Sequence, residues 1–244
     1  MKNLMSLAIL LLPITAFTAD LRFVGTAKPV DGGQTLYQET HEVSGSCQQG
    51  IFKPETHSVS YTRPDGGQFA TKNLSYTQSI LRPSMKFAQP DFSETIRMNN
   101  HDDQELEVVW QQPNGKTERA LLDIIPALVA DAGFDNFVRQ QWNPVALDGQ
   151  SVKFDMVAPT RGDFYGFVLE PATDARLTAE HLLRIRPSAF VLRFLVDPIL
   201  LGYNSDGLLT DYLGLTNIRK NEDDNYIAHI RYDIETKPEC ELTR

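Results

Sequence analysis

The chain has 244 residues, room for one large β domain or two small ones, and its 41% hydrophobic residues supply ample material for a core. A formal net charge of -9 at pH 7 leaves no broad cationic surface to neutralise phosphates, which argues against nucleic acid and anionic membrane as partners.

The first twenty residues, MKNLMSLAILLLPITAFTAD, combine basic Lys2, an apolar run from Leu4 to Leu12, a breaker at Pro13 and small Ala16 and Ala19. This is the grammar of a cleavable signal peptide over residues 1–19, and it predicts a periplasmic protein; a buried N-terminal helix is the competing reading. The apolar run is short for a bilayer and no other stretch approaches the needed length, so no transmembrane span is expected. Export gives Cys47 and Cys240 an oxidising compartment, where two cysteines are most simply one disulfide. Free thiols, or a redox or metal role, are the alternatives, although no CxxC spacing is present.

Beyond residue 20 the pattern is mostly alternation. Gln34 to Ser44 and Thr56 to Arg63 read as half-buried strands, and Pro64-Asp65-Gly66-Gly67 turns the second into a partner over Gln68 to Tyr76. Pro83 and Pro90 bracket an expected loop. Phe92 to Met98, Glu105 to Gln112 and Thr117 to Leu122 continue an antiparallel meander through polar and Asn-Gly turns. A helical pattern starts near Pro126 and runs through Phe134, Phe137, Val138 and Trp142 to a stop before Pro144, with a break at Gly133. Ser151 to Val157, Phe164 to Leu169 and Glu180 to Arg186 are further strands, and Ala189 to Val196 reads as a short helix stopped by Pro198. Ile199 to Tyr203 and Leu208 to Leu213 form a hairpin across Asn204 to Gly207, and Tyr226 to Tyr232 is the last strand. No linker or repeat divides the sequence. The expectation is a mainly β (α+β) fold over residues 20–244: one curved antiparallel sheet or half-barrel, with two or three short helices on its concave face.

Three stretches, YTRPDGGQFATKNLSY (61–76), GFDNFVRQQW (133–142) and VDPILLGYNSDGLLTDYLGLTNI (196–218), resemble a set of uncharacterised secreted bacterial proteins, a likeness that brings no activity with it. The order of elements, a long meander interrupted by helices and ended by the YN..DGLL..Y.GLTN hairpin, also resembles the lipoprotein-carrier fold of LolA and LolB. That resemblance implies a curved sheet sheltering acyl chains.

Chemistry-bearing motifs are scarce. There is no GxSxG, HExxH, HxH, GxGxxG or P-loop, so no catalytic residue, metal or cofactor is assigned. His41 and His57 sit on neighbouring strands and would face each other, half a site at most; two exposed sheet histidines are the plainer reading. Asn221 to Asn225 offers oxygen ligands for calcium but lacks loop spacing, and reads as a solvated turn. Asp102-Asp103, or Asp163 with Glu170, are the carboxylate pairs a glycosidase would need, though 32 acidic residues make chance pairs common. The sequence therefore favours a non-catalytic carrier of a lipid or other apolar small molecule, its cleft lined by Phe134, Phe137, Trp142, Phe190 and Phe194. An envelope protein-binding or assembly factor without a cavity is the alternative, and an enzyme of unrecognised type a second one.

Overall fold

The computed structural model describes residues 18–189 and 197–243. The chain runs β1 (Thr18–Pro29), β2 (Tyr37–Gln48), β3 (Ile51–Thr62), β4 (Gln68–Ser75), β5 (Ser84–Gln89), β6 (Glu94–Asn100), β7 (Glu105–Gln111), β8 (Thr117–Asp123) and β9 (Leu128–Val129). Helix α1 (Gly133–Gln140) and a π turn (Asn143–Leu147) come next. They are followed by β10 (Val152–Ala158), β11 (Asp163–Pro171), β12 (His181–Pro187), β13 (Ile199–Tyr203), β14 (Leu209–Arg219) and β15 (Asn225–Thr236).

All fifteen strands belong to one sheet, in the order β8-β7-β6-β5-β4-β3-β2-β1-β15-β14-β13-β12-β11-β10-β9. Every neighbouring pair is antiparallel except β9 with β10. The order follows the sequence around a ring that is joined where β15 pairs with β1 and interrupted between β8 and β9. Those two edge strands are separated in sequence only by residues 124–127, a reach of about 17 Å at full extension. The sheet must therefore curl until its edges lie close together, as in a barrel.

Contacts from β9 and the residues after it reach across to β4 and the β4–β5 connection. Lys72 of β4 is paired with Asp131 at 2.8 Å, Ala130 N–H donates to Leu81 O at 2.9 Å, and Arg82 Nη1 donates to Leu128 O at 2.9 Å. Gly133 lies so close to the β4–β5 connection that a Cβ there would sit 2.1 Å from Leu81 O. The helix begins at this glycine, later than the pattern from Pro126 predicts. Tertiary contact takes residues 128–129 into the sheet, and Asp131, held by Lys72, has a φ of 43° that no α-helix accommodates. Pro144, the expected stop, instead falls inside the π turn.

Alternation places one face of each strand inside. Tyr37, Phe87, Met98 and Leu106 from the first half, with Leu128, Phe154, Leu169, Leu183 and Tyr203 from the second, are each less than 2% exposed. Helix α1 adds Phe137 and Val138 to a cluster with Val129, Phe154, Leu169 and Tyr203. Each large apolar side chain so buried contributes about 1.5–3 kcal/mol before chain entropy is set against it. The meander extends beyond the sequence reading in three places. The segment expected as a Pro-bracketed loop contains β5, with Met85, Phe87 and Gln89 buried on alternate positions; β14 runs on to Arg219; and β1 occupies residues read as a leader boundary and an unassigned stretch. Apart from Thr18 and Ala19, the expected signal segment lies outside the described residues, as does the expected 189–196 helix beyond Ala189.

The C-terminal tail crosses the far end of the β2–β3 hairpin. Phe52 N–H donates to Glu241 O and Glu241 N–H donates to Gly50 O. Cys47 and Cys240 sulfurs stand 2.07 Å apart, at disulfide distance, beside Leu21, Val43, Phe52, Leu208 and Leu242.

Candidate functional site

Two arrangements of side chains go beyond packing. The first lies inside the sheet. On β2 the inward positions are Tyr37, Glu39, His41 and Val43; on β3 they are His57, Val59 and Tyr61. The register pairs His41 with Val59 and Val43 with His57, so the two histidines are diagonal neighbours on the inner face. Their rings meet edge to edge, His41 Nδ1 lying 2.9 Å from His57 Nε2. The other His57 nitrogen lies 3.5 Å from Tyr76 Oη, and His41 Nε2 lies 3.2 Å from Glu39 Oε1. Tyr232 of β15 donates to the same carboxylate oxygen at 2.6 Å, and Phe23 of β1 stacks on the His41 ring with centroids 4.3 Å apart. With both imidazoles neutral, Tyr76 can donate to His57, His57 to His41, and Tyr232 to Glu39, while His41 Nε2 faces the same carboxylate without an aligned hydrogen bond.

The electrostatics follow from burial. Burial, then His41, Lys72 and Arg139, push His57 well below the usual histidine range and keep it neutral. Burial alone would raise Glu39, but His41, Tyr232 and Lys72 together hold its carboxyl below the ordinary value. Burial pushes the Tyr76 and Tyr232 hydroxyls up, so both remain donors. Among the described residues no group of three or more His, Cys, Asp or Glu side chains is placed to hold a metal ion. The arrangement stores and orients protons; His57 is 7% exposed, too enclosed for a substrate to reach as it stands.

The second arrangement is at one end of the sheet. Glu94 of β6 receives Trp110 Nε1 at 2.8 Å and Arg219 Nε at 2.7 Å, while Gln89 exchanges two 3.0 Å hydrogen bonds with the Arg219 backbone. This ties β5 and β6 to the end of β14. Against that frame lies an open groove of about 750 Å³, whose apolar lining includes Leu36, Trp110, Leu215 and Ile227. Leu215 and Ile227 pair in register on β14 and β15 and are 53% and 54% exposed. Arg161, Lys220, Asp223 and Asp224 supply charges of both signs at the rim.

The residues singled out from sequence fall mostly elsewhere. Phe137 and Trp142 are buried and Phe134 is half-buried beside them: Phe134 and Phe137 pack on Phe154 with centroids 5.4 and 5.0 Å away, and Trp142 meets His181 and Tyr203 edge-on. The helix turns most of its aromatic stripe onto the sheet. Phe190 and Phe194 lie outside the described residues. His41 and His57 do face each other, but His57 is buried and His41 half-buried, not on an exposed face. Asp103 is bound by Arg82, which holds its carboxyl below the ordinary range, and Glu170 by Arg184 and Arg186, so one carboxylate of each expected pair is held in an ion pair. Asn221 Oδ1 accepts from the backbone N–H groups of Asp223 and Asp224, closing the acidic turn on itself. Glu39, Tyr232, Trp110 and Ile227 were not among the residues singled out from sequence; Tyr232 lay in the expected last strand, but nothing local marked its partner.

No family model matches this chain, and no curated protein matches it. Among solved structures, the beta-barrel-like protein of domain of unknown function DUF1849 from Brucella abortus aligns over 91% of this chain and 96% of its own, with 9% identity and a TM-score of 0.40.

Proposed function

We propose that this chain is an exported envelope protein that binds a protein partner through the groove at the Trp110 end of its sheet, without carrying a ligand inside. The observation that carries the reading is the exposed Leu215–Ile227 pair beside Trp110, set in an open groove with a rim of mixed charge. An apolar centre inside a polar rim is the anatomy of a protein interface. An acyl chain needs an enclosed apolar cavity that covers most of its surface. Here the inner face is occupied by Tyr37, Phe87, Met98, Phe154 and Tyr203, and by the buried His41–His57 chain. The leader-like residues 1–19 support export, and the Cys47–Cys240 pair suits an oxidising compartment.

Site-specific photocrosslinking in cells tests this. A photoreactive residue at Ile227 or Leu215 is expected to capture the same protein. A probe at Leu147, 60% exposed and outside the groove, is expected to miss it. With that partner purified, Ile227→Glu is expected to weaken binding at least tenfold, about 1.4 kcal/mol. Equal capture from Leu147, or unchanged affinity of Ile227→Glu, would overturn the assignment.

A further inference from the structure

The His41–His57 pair does nothing for a surface groove, and its chemistry points to a separate property. Two imidazoles joined Nδ1 to Nε2 at 2.9 Å need one proton between them. A neutral pair has it. A pair with one added proton still has it: His41 can hold both of its N–H groups, Nδ1–H toward His57 Nε2 and Nε2–H 3.2 Å from Glu39 Oε1, which balances the charge, while neutral His57 turns its N–H toward Tyr76 Oη. A second added proton puts an N–H on each of the two facing nitrogens. Two donors then oppose each other with no acceptor between them, and two like charges face at contact distance.

The surroundings make the second proton costlier still. Lys72 of β4 and Arg139 of α1 both act on His57 as nearby cations. Lys72 is neutralised by Asp131 at 2.8 Å and Arg139 by Asp135 at 2.7 Å, so neither acid is free to serve the histidines. Among the described residues, Glu39 of β2 is the one carboxylate in contact; Tyr232 of β15 and Tyr76 are neutral donors, and Phe23 of β1 offers only its ring face. The Cys47 and Cys240 sulfurs, further along the sheet, are paired with each other and do not titrate.

We propose that His41 and His57 form an acid-operated latch, a pair that fastens β2 to β3 and β15 from inside the sheet while it holds at most one extra proton and releases them when it must hold two. Protons are simply taken up from solvent, and no covalent bond changes. The sign is fixed by counting them. Below about pH 6.5 an unfolded or opened chain protonates both histidines, while the closed pair takes one fewer. Closed-state stability therefore falls as pH falls, by about tenfold in the closed-to-open ratio for each pH unit per proton withheld. Glu39, whose carboxyl is held low, loses its stabilising charge only further down, as pH falls through the carboxylate range. The window between about pH 6.5 and 5 thus belongs to the histidines. An envelope protein meets such acidity directly, because outer compartments equilibrate with the medium.

Urea unfolding of the full chain at several pH values between about 7.5 and 5 tests the latch. The wild-type protein is expected to lose about tenfold in its folded-to-unfolded ratio per pH unit below about 6.5. His57→Gln, which keeps a hydrogen-bonding side chain that cannot titrate, is expected to lose most of that slope. Identical slopes in both proteins would overturn the proposal. Should His57→Gln not fold, imidazole ¹⁵N resonances of the wild-type protein decide. The expected result is one shared titration for His41 and His57, followed by loss of the native spectrum; two independent titrations within an intact native spectrum would contradict it.

Discussion

Gly25 on β1 occupies an inward position between Phe23 and Ala27, where a side chain would ordinarily fill the core. A Cβ there would lie 2.6 Å from Tyr232 Cε1 and 2.8 Å from Glu39 Cγ. The missing side chain is what lets the Tyr232–Glu39 hydrogen bond pass over β1. Gly25→Val is accordingly expected to cost about 1–3 kcal/mol in urea unfolding, through forced displacement of those two groups. A cost near zero would mean that the inner face has slack. Glu94 offers the complementary case. Its side chain is 3% exposed and its Arg219 partner 10%, so Glu94→Ala strands a buried guanidinium and is expected to destabilise the protein by about 3–5 kcal/mol. Glu94→Gln, which keeps an acceptor for Trp110 and Arg219, is expected to cost less. At this scale the sequence was only partly legible. Alternation on adjacent strands is enough to set His41 opposite His57, because the period of two and the hairpin register are local facts. Glu39 finds Tyr232 across 193 positions of sequence, and no local pattern carries that pairing.

Among elements, the turns were the most legible part. Pro64 to Gly67 places Gly66 at φ 86° and binds Gly67 N–H to Asp65 Oδ1 at 2.9 Å, the chemistry its letters predict. Segments whose state depends on tertiary contact were not legible. β5 has only six residues, and its flanking prolines read as loop markers although they sit outside the paired stretch. The stretch before α1 has helical spacing, yet Leu128 and Val129 become a short parallel strand because β10 offers them a free edge. The tail from Cys240 pairs Glu241 with the β2–β3 hairpin only because the sulfurs of Cys47 and Cys240 bring it there. Breaking that link with Cys47→Ser and Cys240→Ser together is expected to lower stability by about 2–5 kcal/mol, read as an earlier urea midpoint. An unchanged midpoint would show that the hairpin and tail packing around Leu242 suffice without it.

For the whole molecule, the sequence carries the class and loses the closure. Alternation tells which residues face inward and where the chain turns back, which yields a curved antiparallel sheet. It does not tell that β15 returns to β1, or that the two remaining edges are joined by residues 124–127 and lie near each other. Closure underlies the proposed function, because a sheet that curls around its own side chains and α1 has its concave face already occupied. Phe137 and Trp142, expected to line a cleft, are core for that reason and Phe134 packs half-buried beside them, while Leu215 and Ile227 are among the apolar side chains left exposed. The central claim is that this protein works from its surface and carries nothing within. Native mass spectrometry of protein released gently from cells, without detergent, tests it most directly. The mass of the protein chain alone is expected, whereas a stoichiometric lipid or other apolar small molecule retained across repeated preparations would contradict the proposal.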